Sequence, residues 1–151
     1  MTSEGDLHDS LQLGEFIIDR LPLLDETDLR NCLLGFNQSE SFKTVEVLEQ
    51  HLLSNLHSIS AATVSNILYD YAKERIGSRT FLKTLLARVE LESENASLLE
   101  NSVVVEMLVA LNLTGNTKSR AFKNLSAQAS KQKSELSQDE IKLLSATGIE
   151  F

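Results

Sequence analysis

The segment from residue 60 to residue 89 most strongly constrains how this chain folds. Side chains at positions i, i+3, i+4 and i+7 lie on one face of an α-helix. That spacing is shared by Val64, Ile67, Leu68 and Tyr71, and a similar stripe comprises Phe81, Leu82, Leu85, Leu86 and Val89. Ile76-Gly77 separates the two stripes, and Ser78 is suited to cap the second helix. The segment therefore predicts a helical hairpin.

The same pattern recurs on both sides of this segment. The first-helix stripe recurs 35 positions earlier, at Leu29, Cys32, Leu33 and Phe36. It recurs 40 positions later, at Val104, Met107, Leu108 and Leu111. A weaker copy lies a further 36 positions on, at Glu140, Leu143, Leu144 and Thr147. The second helices share a Ser-x-x-Phe start at residues 39–42, 78–81 and 119–122. We therefore expect Phe42, Phe81 and Phe122 to occupy equivalent places.

A period of this length is typical of stacked helical pairs, because one pair cannot bury its apolar face alone. The 151 residues suffice for one domain with its own core. The predicted fold is all-α, a short α-solenoid of about three and a half hairpin repeats. Its expected parts are a capping helix over 1–24, hairpins over 25–59, 60–95 and 96–134, and a half repeat over 135–151.

The charge is distributed unevenly along the chain. Residues 1–60 hold 11 acids and 3 bases, which accounts for the net charge of −8, whereas residues 61–151 hold 11 of each. Residues 115–134 contain five bases and no acid. This distribution predicts an electrostatically polar molecule with a locally basic surface late in the chain.

Two first helices resemble those of the pentatricopeptide repeat family. Residues 63–73, Thr-Val-Ser-Asn-Ile-Leu-Tyr-Asp-Tyr-Ala-Lys, carry an Asn two places before a Leu and a small residue before Lys near the end, and Asn31-Cys32-Leu33 repeats the Asn-x-Leu pattern. Later units depart from it, since Glu106 and Lys142 stand where Asn is found. The resemblance covers roughly residues 25–147.

The resemblance implies two kinds of partner. Many members of that family bind organellar single-stranded RNA along the first-helix face, one base per repeat. The residues that would contact RNA here are Asn31, Asn66, Tyr69 and Lys142. Other members are accessory subunits of larger assemblies, such as the mitochondrial ATP synthase or the mitoribosome.

Protein docking is the favoured prediction, because three to four repeats would read few bases and the first part of the chain is acidic. The exposed group expected to contact protein partners is Arg79, Lys83, Arg120 and Lys123. The alternative interpretation of these four residues is an ordinary solvated face. RNA binding by an organellar repeat protein remains the alternative function.

No pattern in the sequence predicts catalysis, a cofactor or a metal site. Cys32 occupies a place that is apolar in the other units and is expected to be a small buried side chain. His51 and His57 are six apart, which is not the i, i+4 spacing of a helical metal pair. Asp25, Glu26 and Asp28 are better explained as acids at a helix N-terminus than as a calcium loop. We predict a protein that is not an enzyme.

The resemblance implies a mitochondrial matrix location. The first 20 residues carry five acids and one base, the opposite of a transit peptide, so the chain either is not imported or is a mature form. No apolar run approaches the roughly 20 residues that cross a bilayer, and we expect no membrane insertion.

Overall fold

The computed structural model describes residues 14–146 and 148, and within them every regular element is helical. The described part of helix α1 covers residues 14–18. The remaining helices are α2 (Glu26–Gln38), α3 (Phe42–Ser54), α4 (Ala61–Glu74), α5 (Arg79–Ser93), α6 (Asn101–Leu113), α7 (Arg120–Lys131) and α8 (Gln138–Ala146). The all-α prediction is confirmed for this part of the chain, and most of the predicted capping helix lies outside it.

A short 3-10 turn precedes each of the helices α2, α4, α6 and α8. The four turns are Leu21–Leu23, Leu56–Ser58, Ala96–Leu98 and Lys133–Glu135. Each turn is followed by an extended leucine or isoleucine and then by the residue that immediately precedes the next helix. These pairs are Leu24-Asp25, Ile59-Ser60, Leu99-Glu100 and Leu136-Ser137. The periodicity of the sequence is thus reproduced in the order of secondary-structure elements.

Side-chain capping explains where three of these helices begin. Asp25 accepts the Asp28 amide at 2.8 Å in a capping box, and Ser60 accepts the Thr63 amide at 3.3 Å. Ser137 forms a capping box with Glu140. Ser97 and Glu100 have the same spacing, but Ser97 lies in the 3-10 turn and α6 begins only after Glu100.

The structure divides into two compact units. The first unit contains the described residues up to Ile59 together with Ile76–Phe81, and the second contains Ser60–Arg75 together with the described residues from Leu82 onward. In the first unit α2 packs against α3 as a hairpin. In the second unit α6 packs against α4, α7 and α8.

Helix α6 is the centre of the second unit. Its buried residues are Val103, Val104, Val105, Met107, Leu108, Val109, Ala110 and Leu111, which cover nearly its whole circumference. A helix that is apolar all round is stable only when neighbours cover every face. The three helices around α6 supply that cover.

Most residues of the predicted apolar stripes are buried, but Leu82 and Leu86 of α5 are half-buried. Phe81 is fully buried, Phe122 is half-buried and Phe42 is 61% exposed, so the three phenylalanines are not equivalent. Phe42 differs because α3 begins at Phe42 with Ser41 as its N-cap. Cys32 is half-buried rather than buried. In α8 only Leu144 is buried, Leu143 is exposed, and Thr147 lies outside the described residues.

Candidate functional site

The first-helix position predicted to read a base is occupied by an internal hydrogen bond in the second unit. Asn66 on α4 faces Glu106 on α6, and its amide nitrogen, oriented towards the carboxylate, lies 3.1 Å from Oε2. The Ser65 hydroxyl lies 3.1 Å from Glu106 Oε1 and 2.8 Å from the Ala62 carbonyl oxygen. These side chains tie α4 to α6, so the Asn66 amide is not free to bind a base.

The other three residues predicted to contact RNA lie on three different helices. Tyr69 is half-buried, and the Lys73 ammonium lies 5.1 Å from the centroid of its ring, a cation–π contact. Asn31 is exposed on α2 in the first unit, and Lys142 is exposed on α8 in the second.

A buried carboxylate holds the start of α5. Glu49 on α3 is only 7% exposed, and its Oε1 accepts the Ser78 amide at 3.0 Å together with the Ser78 hydroxyl. The Ser78 oxygen in turn accepts the Phe81 amide at 3.1 Å. Ser78 therefore caps the helix as predicted, and Glu49 provides a second layer of capping from another helix.

The same device recurs at the start of α7. Glu90 on α5 accepts the Ala121 amide at 3.1 Å, and Ser119 accepts the Phe122 amide at 3.2 Å. The amide groups at this helix end are thus bound by side chains of the protein itself. The signal that could have revealed both contacts is the 41-residue offset that relates Glu49 to Glu90 and Ser78 to Ser119.

The four residues predicted to contact a protein partner are all exposed. Arg79 belongs to the first unit, whereas Lys83, Arg120 and Lys123 belong to the second. Lys83 lines a pocket of about 300 Å³ that it shares with Glu90 and with apolar side chains such as Leu86. Its charge therefore lies in a pocket that already contains a carboxylate.

Arg120 lines a groove of about 570 Å³ in the second unit. One wall is a face of α7 and the other is the segment that joins α5 to α6. The lining residues are Arg120, Asn124, Ala127, Gln128 and Lys131 on α7, with Ser93, Glu94, Ala96 and Ser97 opposite. We call this the α7 groove.

The α7 groove has a small excess of positive charge. Arg120 and Lys131 are exposed, and neither forms an ion pair with a described residue, while Glu94 provides one carboxylate opposite. Asn124 donates to the Ser93 hydroxyl at 3.4 Å, which links the two walls. Two cations flanking amide side chains can bind carboxylates and peptide groups, but they do not provide a nucleophile and its base.

The structure also describes the surroundings of Cys32, His51 and His57 in the first unit. Burial, and secondarily the charge of Asp28, raises the pKa of the Cys32 thiol, which lowers its reactivity. His51 lines a groove of about 450 Å³ in the first unit, and His57 is exposed. Across the described ranges, no group of three His, Cys, Asp or Glu side chains is arranged to hold a metal ion.

None of the described helices combines the length and apolar character required to cross a bilayer. Comparison with known proteins finds no matching family model, curated protein or solved structure.

Proposed function

We propose that this chain is a non-catalytic helical-repeat protein that docks against protein partners through the exposed basic surface of its second unit. Arg120 and Lys123 on α7 belong to that surface, and Arg120 also lines the α7 groove. The observation that carries the proposal is the α7 groove, with two exposed cations and a pair of amides along one face. Such a surface complements an acidic protein segment.

We further propose that the hairpins stack as a short α-solenoid of the pentatricopeptide-like kind. Its support is the repeated order of helix, helix and 3-10 turn, and the recurrence of a carboxylate cap at the starts of α5 and α7. In a stack of this kind each repeat contacts its neighbours, which favours docking surfaces over enclosed active sites.

The resemblance seen in the sequence suggests a setting for such a protein. A mitochondrial assembly, such as the ATP synthase or the mitoribosome, is the proposed location, with this chain as a stoichiometric accessory subunit. The test is to purify the tagged chain from mitochondria after nuclease treatment and to identify the proteins that remain bound in fixed ratio. Loss of every protein partner under these conditions would contradict the proposal.

A matched pair of variants connects that test to the surface. Arg120→Glu combined with Lys123→Glu reverses charge on α7, and Lys142→Glu reverses an exposed charge on α8. We expect the α7 double variant to release the partner at moderate salt and the α8 variant to retain it.

RNA binding remains a second candidate because residues 115–134 carry five bases and no acid. The engagement of Asn66 with Glu106 weakens it. If RNA were the ligand, retention on a single-stranded RNA column would fall steeply with salt and with Arg120→Ala.

A further inference from the structure

The α7 groove has a regular arrangement of polar groups along its helical wall. Arg120, Asn124, Gln128 and Lys131 lie at i, i+4, i+8 and i+11, which places them along one side of α7. With a rise of about 1.5 Å per residue, the backbones of Arg120 and Lys131 are about 16 Å apart. The two amide side chains lie between the two cations.

We propose that the α7 groove binds an extended acidic segment of a partner protein, with Arg120 and Lys131 each binding one carboxylate. An extended chain advances about 3.3 Å per residue, and side chains on the same face are an even number of residues apart. A separation of four residues spans about 13 Å, and the long Arg and Lys side chains can cover the remaining distance. The expected motif is two acidic residues four positions apart.

The centre of the groove suits a peptide backbone. The Asn124 amide nitrogen donates to the Ser93 hydroxyl, which leaves the Asn124 carbonyl oxygen as an acceptor. Gln128 adds both a donor and an acceptor. Ser97 on the opposite wall is exposed and adds a hydroxyl. These groups can bind backbone amides and carbonyls between the two acidic side chains.

A comparison of the two capped helices supports an anionic occupant. Counted from the N-caps Ser78 and Ser119, Lys131 on α7 is at the position of Glu90 on α5. Glu90 binds the amide of the helix that packs next to it. At the same position α7 offers an ammonium group, so a segment that packs there is favoured if it brings negative charge.

The distribution of charge favours a peptide over a nucleic acid. A nucleic acid strand has a phosphate at every nucleotide, and Glu94 in the groove wall would repel the phosphates beside it. A peptide has negative charge only at selected positions and can place an uncharged residue opposite Glu94. This inference rests on the proposed function, because it specifies the chemistry of the partner.

Fluorescence anisotropy with defined probes tests the inference on the full chain. The probe is a fluorescein-labelled Gly/Ser peptide with two glutamates four residues apart. The comparison probes have the glutamates replaced by glutamine, or moved to adjacent positions, or are a labelled oligouridine. We expect the spaced-glutamate peptide to bind most tightly.

Variants assign the binding to the two cations. Arg120→Glu and Lys131→Glu should each weaken peptide binding by about fivefold, the upper range for a solvent-exposed ion pair, and more together. Lys43→Glu, at an exposed position on α3, is the control and should leave binding unchanged, and circular dichroism verifies that each variant is folded. Equal weakening by Lys43→Glu, or tighter binding of oligouridine than of the peptide, would overturn the inference.

Partner purification separates failure of this inference from failure of the proposed function. If a protein partner still co-purifies with the Arg120→Glu/Lys131→Glu variant, docking stands and the α7 groove is not the site. If the peptide binds but no protein co-purifies, the groove chemistry stands and the proposed function fails.

Discussion

Removing the carboxylate of Glu49 should destabilise the first unit more than any exposed charge on the same helix. In Glu49→Ala the Ser78 amide and the Ser78 hydroxyl lose the carboxylate oxygen to which both donate. Glu49 is buried, with only 7% of it exposed. A hydrogen bond to a charged group contributes about 1.5–3 kcal/mol. The desolvation cost of the buried carboxylate offsets part of the two bonds.

The expected net loss is about 2–3 kcal/mol in the free energy of unfolding. For a chain of this size each kcal/mol lowers Tm by about 2–4 °C, so Glu49→Ala should lower Tm by roughly 4–12 °C. Glu49→Gln should cost about half as much, because its amide oxygen can still accept one of the two bonds.

Urea denaturation followed by circular dichroism measures the loss, and Glu46→Ala is the matched control. Glu46 lies on the same helix, α3, and is exposed, so its removal changes the net charge equally but breaks no buried contact. A double-mutant cycle with Ser78→Ala should give a coupling of about 1 kcal/mol or more. If Glu49→Ala and Glu46→Ala destabilise the protein equally, the capping argument is wrong.

Three further predictions follow from contacts within single units. Gly77→Ala should lower the free energy of unfolding by about 2 kcal/mol or more, because Gly77 has φ +110° and a Cβ there would collide with the ring of Phe81. Urea denaturation measures this loss, and an unchanged free energy of unfolding would contradict the predicted clash. Asp28→Asn should lower the pKa of the Cys32 thiol and speed its alkylation at a fixed pH near 8, because the negative charge that opposes thiolate formation is removed. An alkylation rate equal to that of the unchanged protein at every pH would refute this prediction. Glu106→Ala should cost about 1–2 kcal/mol by leaving the Asn66 amide without its acceptor, and additive effects with Asn66→Ala in chemical denaturation would show that the two side chains do not interact.

The first helices α4 and α6 were predictable from the sequence in type and in the position of their buried face. Val64, Ile67, Leu68 and Tyr71 are buried as predicted, as are the corresponding residues of α6. Helical periodicity is a local property, because each residue's face is fixed by its distance along the same helix. The caps at Ser60, Ser78 and Ser137 are local for the same reason, since each involves an amide three residues on.

The second helices were less predictable where a local pattern had two possible registers. Residues 39–42 match the Ser-x-x-Phe pattern, yet α3 begins two residues later than that pattern implies. Ser39 instead ends α2, where its hydroxyl donates to the Phe36 carbonyl. The choice between Ser39 and Ser41 as the cap therefore depends on where the preceding helix ends.

The sequence by itself determined that the described part of the chain is helical and which faces of α4 and α6 are apolar. Only the tertiary structure decided that Glu49 meets Ser78, that Glu106 binds Asn66, and that Arg120 and Lys131 line one groove. Periodicity and capping act over three to seven residues, so the order of residues encodes them directly. Polar contacts between helices join residues about 30 to 40 positions apart, and they exist only once packing has brought those helices together.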